Sequence, residues 1–438
     1  MTYGPELVQG WSLIKAPDHL GPPDPTAGVY GANGEVIGFD DALLGRHVLF
    51  LGGIGTGKTV GMTELVRSMR AQAEPDDVFV FFDTKGDYLD SFQEPHDVVL
   101  ARRARQFNGQ VTWNLFSELN AAPTDVEADE DLAELAASLF EDVSSSAGQN
   151  NRIWSNIAQD VFSAVVLAMH RNQTGLSNAN LRAIADEMTV RQMLDLIRPH
   201  PDLAGVAQYI AREDSNATLS AMIFLQQAIR RVFRSSFRQQ GTFSVREFLR
   251  QKNRGALFLE FDVAYAETVT PVFRTVIDLA LKEALGRAHA AGRVFFFLDE
   301  FALLPSLAHL DAGLNFGRGL GLRFVVGAQN VGQVTHAYGV DRAASILSGF
   351  GTVFAFRLYD KDSRDFVRAR FGSNRSIIRY DAALKARGVV EELVDGSVVE
   401  DWDITGLQVG EAVAALPDSP PYRFRFAPPK ESSKCNPK

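Results

Sequence analysis

The sequence predicts an α/β protein with a mainly parallel sheet and an inserted all-α block. Three observations lead there. Short, apolar, β-rich runs lie in both the first and the last third of the 438 residues and alternate with helical stretches, the pattern of parallel strands covered on both faces. Between about Asn114 and Thr242 the strand runs vanish and helical periodicity takes over. One glycine-rich turn between a strand and a helix, residues 52–59, carries a phosphate-binding pattern.

Taken in order, the stretch to about Gly45 is rich in Gly, Pro and Asp and reads as irregular structure or short strands. His47–Leu51 is apolar and ended by glycines, a buried strand. A helix follows from Lys58 to about Gln72, then a second strand, Val78–Phe82, ending at Asp83. In the middle block Leu132, Leu135, Leu139 and Phe140 share one helical face. Ile153–Met169 reads as a long helix, and Leu219–Phe237 as another. Ser177 and Thr189 are N-caps, and Pro199 stops the second of the helices they open. Strands resume at Ala256–Phe261, followed by a helix near Pro271–Ala288 and strands at Val294–Leu298, Arg323–Val326 and Thr352–Phe356. The prolines, serines and lysines from Asp418 onward predict a flexible tail. The expected boundaries are 1–115 and 244–417 for two parts of a nucleotide-binding domain, 116–243 for the all-α insertion and 418–438 for the tail.

Composition limits the function. A hydrophobic content of 46% supports a large core. A net charge of -10 argues against a protein that coats duplex DNA with its whole surface, so any nucleic acid must meet a local patch or a ring lumen. The single cysteine, Cys435, excludes a disulfide within the chain and suits a reducing cytoplasm. Without a second cysteine the eight scattered histidines give no zinc-ligand spacing. No secretion signal opens the chain, and no apolar run approaches the ~18–20 residues of a membrane-spanning helix. The expectation is a cytoplasmic protein with no integral membrane segment.

Gly52, Gly57, Lys58 and Thr59 match G-x-x-x-x-G-K-[ST] in full, between a strand and a helix as the mechanism requires. The glycines let backbone N–H groups approach phosphates, Lys58 reaches the β- and γ-phosphates, and the Thr59 hydroxyl ligates Mg²⁺. Gly53, Gly55, Thr56 and Val60 complete the expected contacts with ATP. Val294–Leu298 delivers Asp299 and Glu300 at a strand end, where an aspartate holds Mg²⁺ and a glutamate activates water. Gln329 ends the next strand and reads either as an amide near the γ-phosphate or as a simple polar strand end. Arg318 lies in a glycine-flanked turn and reads either as a guanidinium acting across a subunit edge or as a solvated loop arginine. Asp83-Thr-Lys-Gly-Asp87 ends the second strand, where Asp83 or Lys85 bears on the nucleotide or simply caps a turn.

From Ser215 to Arg246 there are five arginines, Arg230, Arg231, Arg234, Arg238 and Arg246, and no acid. With Phe233 and Phe237 interleaved, they form either a patch for phosphates or a helix face whose charges are answered elsewhere. Arg364, Arg368, Arg370 and Arg375 carry the same ambiguity.

The runs Leu298-Asp-Glu-Phe-Ala-Leu-Leu-Pro-Ser-Leu and Phe316-Gly-Arg-Gly-Leu-Gly-Leu, followed by Gln329, resemble type IV secretion coupling proteins of the TraD/TraG kind, in the FtsK/HerA group of DNA-pumping ATPases. Trp113-Asn-Leu-Phe-Ser-Glu-Leu119, Ile153-Trp154, Tyr338-Gly, Ile346-Leu347 and Phe371-Gly372 agree, so the resemblance covers roughly residues 45–375. It implies a RecA-like nucleotide-binding domain with an all-α insertion, acting as a hexameric ring on DNA. It also implies roles: Lys58 and Thr59 on the phosphates and Mg²⁺, Asp299 on Mg²⁺, Glu300 on water, Arg318 as a finger acting in trans and Gln329 as the γ-phosphate sensor. DNA at the patch of Arg230, Arg231, Arg234 and Arg238, and relaxase-like or channel proteins, are the implied partners. Two departures stand out. Coupling proteins of this kind carry an N-terminal membrane anchor that is not seen here, so the inner membrane would be reached through partners. Leu115 stands where the family usually has proline. The competing expectations are an ATP-regulated cargo-recruitment module and a soluble HerA-like translocase in repair or defence.

Overall fold

The computed structural model describes residues 5–15, 17–22, 24–103, 111–146, 152–286, 292–381 and 389–428. Cys435 lies outside them. In one compact unit the strands run in the order Ile14–Lys15, Tyr422–Arg425, Glu411–Ala415, Thr352–Ala355, Val48–Leu51, Leu322–Ala328 and Val294–Leu298, and in the other in the order Val78–Asp83, Ala256–Glu260 and Val98–Ala101. The expected α/β class with a mainly parallel sheet is observed. The antiparallel pairings lie at one end, where Glu411–Ala415 pairs with both Thr352–Ala355 and Tyr422–Arg425. The chain divides into two compact units, 1–74 with 295–305 and 311–438, and 75–294 with 306–310. No helix among the described residues is long and apolar enough to cross a membrane.

In the first unit, Val48–Leu51 and Leu322–Ala328 are buried along their full length, as their unbroken apolar sequences demand. They run parallel in a register that sets Ala328 opposite Leu51. Thr352–Ala355 flanks Val48–Leu51 on its other side, also parallel. Phe50 stacks on Phe354 with ring centroids 4.8 Å apart, and Phe356 on Phe426 at 5.5 Å. Gly327 is required here: a Cβ on it would lie 2.1 Å from the Asp299 carbonyl oxygen. This close approach brings the ends of two functional strands together.

In the second unit, Val78–Asp83 and Val98–Ala101 flank Ala256–Glu260, all parallel. Between Val98–Ala101 and Ala256–Glu260 the described regular elements are helical. Among them are Asp125–Ser146, Arg152–Arg171 and Asn216–Val232, with Phe140 against Phe162 at 5.2 Å. Ser177 and Thr189 cap their helices as expected. The chain enters and leaves this block at one point, where Trp113 and Phe243 form an isolated bridge. The Asn114 amide donates to the Gly241 carbonyl at 2.9 Å, and Asn178 to that of Trp113 at 2.7 Å. Leu115, the unusual residue, uses its backbone N–H to reach Asn178 Oδ1 at 3.1 Å, a bond proline could not donate.

Glu118 closes this junction. Its buried carboxylate accepts from Trp113 Nε1 at 2.9 Å, Ser244 Oγ at 2.9 Å and the Val245 N–H at 2.6 Å. Burial pushes its carboxyl above the ordinary glutamate range, against the pull of these donors. Glu118→Ala leaves those donors buried without their acceptor and should cost about 3 kcal/mol of stability. Denaturant unfolding checks this, with an unchanged midpoint as the contrary result.

Three sequence expectations need correction, and one element was not foreseen. The helix expected to begin near Pro271 spans Ala266–Leu285, with Pro271 inside it. The helix expected to reach Phe237 ends at Val232, and Ser235–Arg238 is a separate 3-10 turn. The stretch from Asp418 is not all tail: Tyr422–Arg425 forms a strand that buries Tyr422 and Phe424, while 429–438 lies outside the described residues. The antiparallel pair Ser373–Asp381 and Val389–Ser397, joined by Glu6–Gln9, was not anticipated.

Candidate nucleotide site

Strand Val48–Leu51 delivers Gly52, whose N–H donates to the Ala328 carbonyl at 3.1 Å. The loop is braced from two directions. The Gly53 N–H donates to the Arg357 carbonyl at 3.0 Å, and the Gly410 N–H donates to the Thr56 carbonyl at 2.9 Å. Thr56 Oγ1 ties the loop internally to the Gly53 carbonyl at 2.8 Å. Gly55 and Gly57 stand at φ +74 and +106, a region that favours glycine. A Cβ at Gly57 would also meet the Gly410 nitrogen at 2.8 Å, whereas beside Gly55 the space is open.

Gly57 is the N-cap of helix Lys58–Ala71, and this cap makes no side-chain hydrogen bond. The first turn also carries no acid. Its N–H groups and the positive end of the helix therefore form a cradle for an anion. Lys58 is buried, with its ammonium donating to the Gly52 carbonyl and lying 3.5 Å from that of Gly53. Thr59 and Val60 are half-buried in the first helical turn. This cradle fits a nucleotide phosphate chain.

Asp299 and Glu300 follow the buried strand Val294–Leu298 and are 5% and 8% exposed. Glu300 Oε1 accepts from the Gln329 N–H at 3.4 Å. Burial raises the Glu300 carboxyl above its ordinary range. The Lys58 charge and the Gln329 side chain pull it back, and Asp299 adds to the rise. Lys58, expected from the phosphate-loop motif, and Asp299, Glu300 and Gln329, expected from strand ends, thus share one electrostatic neighbourhood.

Arg318 is exposed on the 3-10 turn Gly317–Leu320, just before strand Leu322–Ala328. Gln329 lies just beyond the other end of that strand. Seven residues at about 3.3 Å each separate the two by roughly 20 Å. Arg323, paired with Asp41 at 2.7 and 3.1 Å, donates to the Arg318 carbonyl at 3.0 Å and fixes the turn. Nearby, His47 Nδ1 accepts from the Phe324 N–H at 3.2 Å and Nε2 donates to the Leu314 carbonyl at 3.1 Å. Burial lowers the His47 pKa to about 4, so the ring is neutral at physiological pH. Sequence reasoning missed His47, Arg323 and Gly410, because each acts through contacts distant in sequence.

Asp83 is a turn cap. Its carboxylate accepts backbone N–H groups of Lys85, Gly86, Tyr88 and Leu89 at 2.8–3.2 Å. The arginine patch is largely answered by acids from other helices. Arg230 pairs with Asp186 at 2.9 Å, Arg231 with Asp142 at 3.5 Å, and buried Arg246 with Asp131. Arg234 lies past the helix end, and its guanidinium donates to the Arg230 carbonyl. Phe233 and Phe237 are buried and offer no stacking face. Arg234 and Arg238 are exposed with no carboxylate partner among the described residues. In the second cluster Arg368 meets Asp365 and Asp401, Arg370 binds main-chain carbonyls and Arg375 pairs with Asp395. Arg364 donates to the Tyr359 carbonyl.

Known proteins resemble this arrangement. A family model described as the type IV secretion-system coupling protein DNA-binding domain matches residues 35–388. A conjugal transfer protein TraG of Rhizobium radiobacter is 30% identical over 138 residues, which is 31% of this chain and 21% of that protein. The chain spans only 18–26% of the length of the curated relatives it matches. The bacterial conjugative coupling protein TrwBdeltaN70, in an unbound form, superposes with a TM-score of 0.79 at 20% identity, covering 99% of this chain and 96% of that one. The plasmid coupling protein TrwB in complex with ADP and Mg²⁺ gives 0.76 at 20% identity, covering 98% and 96%. At that identity the likeness shows a common fold.

Proposed function

The chain belongs to the type IV secretion-system coupling protein DNA-binding domain family, and from that premise we propose that it is an ATP-hydrolysing motor that recruits and moves DNA, or a DNA–protein complex, in conjugation-like transfer. The observation that carries the reading is the gathering of Lys58, Asp299, Glu300 and Gln329 at one phosphate loop.

The loop N–H groups and Lys58 bind the phosphates, with Lys58 exchanging its carbonyl partners for phosphate oxygens. Thr59 and Asp299 would hold Mg²⁺, which would offset charge on the phosphates. Glu300 takes the proton of the attacking water, and Gln329 orients that water. Arg318 cannot reach the loop of its own chain across a seven-residue strand, so it serves the loop of a neighbour in a homo-oligomeric ring, which we read as a hexamer. Arg234 and Arg238 are the residues of the basic stretch left to meet DNA phosphates. The helical block 116–243 is the inserted domain, and placement at the inner membrane runs through partner proteins.

The pairing of Arg230 with Asp186 and of Arg231 with Asp142 leaves less charge for DNA and favours one alternative, in which the helical block recruits a protein cargo. ATP turnover with and without DNA separates the two. The motor predicts turnover that DNA stimulates and Lys58→Ala abolishes. Turnover that DNA leaves unchanged, together with cargo capture, supports recruitment. Equal turnover in wild type and Lys58→Ala overturns both.

A further inference from the structure

We propose that Tyr359 is the stacking platform for the nucleotide base, with Val409 as a second wall, so that the segments bracing the phosphate loop also grip the far end of the ligand. The inference deepens the nucleotide-site reading and rests on it. Tyr359 belongs to the segment that follows strand Thr352–Ala355, the parallel neighbour of the phosphate-loop strand. Its ring lies on the loop: a Cβ at Gly53 would fall 2.8 Å from Tyr359 Cε2 and 3.0 Å from Cδ2.

Despite this contact Tyr359 is 67% exposed, and Val409, beside the Gly410 brace, is 66% exposed. The Tyr359 ring thus keeps an open face beside the phosphate cradle. Hydrogen bonds brace the segments that present Tyr359 and Val409. Arg364 donates to the Tyr359 carbonyl at 2.6 Å, and Arg357 donates to the Leu407 carbonyl at 2.5 Å. This ties the 357–359 and 407–410 segments to each other as well as to the loop. With the phosphates on the loop, the base projects past the α-phosphate, and a preordered aromatic face beside the loop gains stacking at little entropic cost.

Calorimetric binding of ADP and of inorganic tripolyphosphate to the full chain tests this. Tyr359→Ala should bind ADP about tenfold more weakly, as the loss of one base–aromatic stack requires. It should bind tripolyphosphate like wild type, and Tyr359→Phe should restore ADP affinity. Unchanged ADP affinity in Tyr359→Ala overturns the inference. An equal loss for tripolyphosphate also overturns it, because the ring would then only support the loop. If wild type binds neither probe, the nucleotide-site reading fails and the inference falls with it.

Discussion

Glu300→Gln is expected to keep nucleotide binding and lower ATP turnover by about 10²–10⁴-fold. The amide preserves size and can still meet the Gln329 N–H, so the pocket should survive. It cannot take a proton from water. The pH dependence has a defined direction. Burial raises the Glu300 carboxyl, so the residue reaches its active, ionised form at a higher pH than an ordinary glutamate. Turnover should fall on the acid side, beginning above the ordinary glutamate range. Stability follows the opposite sense. Because the folded pKa is the higher one, the unfolded chain ionises first as pH rises, and the fold loses stability through that window. Glu300→Gln should therefore melt at a higher temperature than wild type at neutral pH, with no gain near about pH 4. Full turnover in the variant would contradict the assigned role, and a lower melting temperature at neutral pH would contradict the electrostatic account.

The parts of this site that were legible in the sequence are those encoded locally. The phosphate loop needs its glycines and Lys58 within eight residues, between a strand and a helix. Asp299-Glu300 and Gln329 are polar residues directly after unbroken apolar strands, and parallel topology takes such ends to one edge. Arg318 was different, because its exposed turn reads equally as a solvated loop until the family resemblance and the strand length are set beside it. What escaped is what the tertiary fold brings together. Gly410 meets Thr56 and Tyr359 meets Gly53 across long stretches of chain, and no local pattern announces either contact. The arginine stretch stayed ambiguous because its partners Asp186, Asp142 and Asp131 come from other helices. Val389–Ser397 was missed because its exposed acids, Glu391, Glu392 and Asp395, mask a strand with no buried face. Tyr422–Arg425 does alternate buried and exposed residues, but it sits among prolines that suggested disorder.

Arg318→Ala is expected to be the other severe variant. An arginine finger contributes about 10³–10⁵ to turnover in phosphoryl transfer, so a loss at the lower end of that range should appear with nucleotide affinity little changed. The fold should tolerate the change. Arg318 is exposed, and the turn is held by Arg323 through the Arg318 backbone carbonyl, which alanine retains. Arg318→Lys should recover little, since a point charge lacks the planar fork of guanidinium.

The central claim is that each hydrolytic site is completed by the adjacent subunit. Mixing Arg318→Ala protein with Lys58→Ala protein and measuring ATP turnover tests it most directly. An Arg318→Ala subunit keeps its phosphate loop and Glu300, and a Lys58→Ala subunit keeps its arginine. In an equal, randomly assembled mixture about one head-to-tail interface in four joins the intact halves. The account predicts that two inactive proteins become active on mixing. No gain on mixing, or full turnover by Arg318→Ala alone, would contradict it.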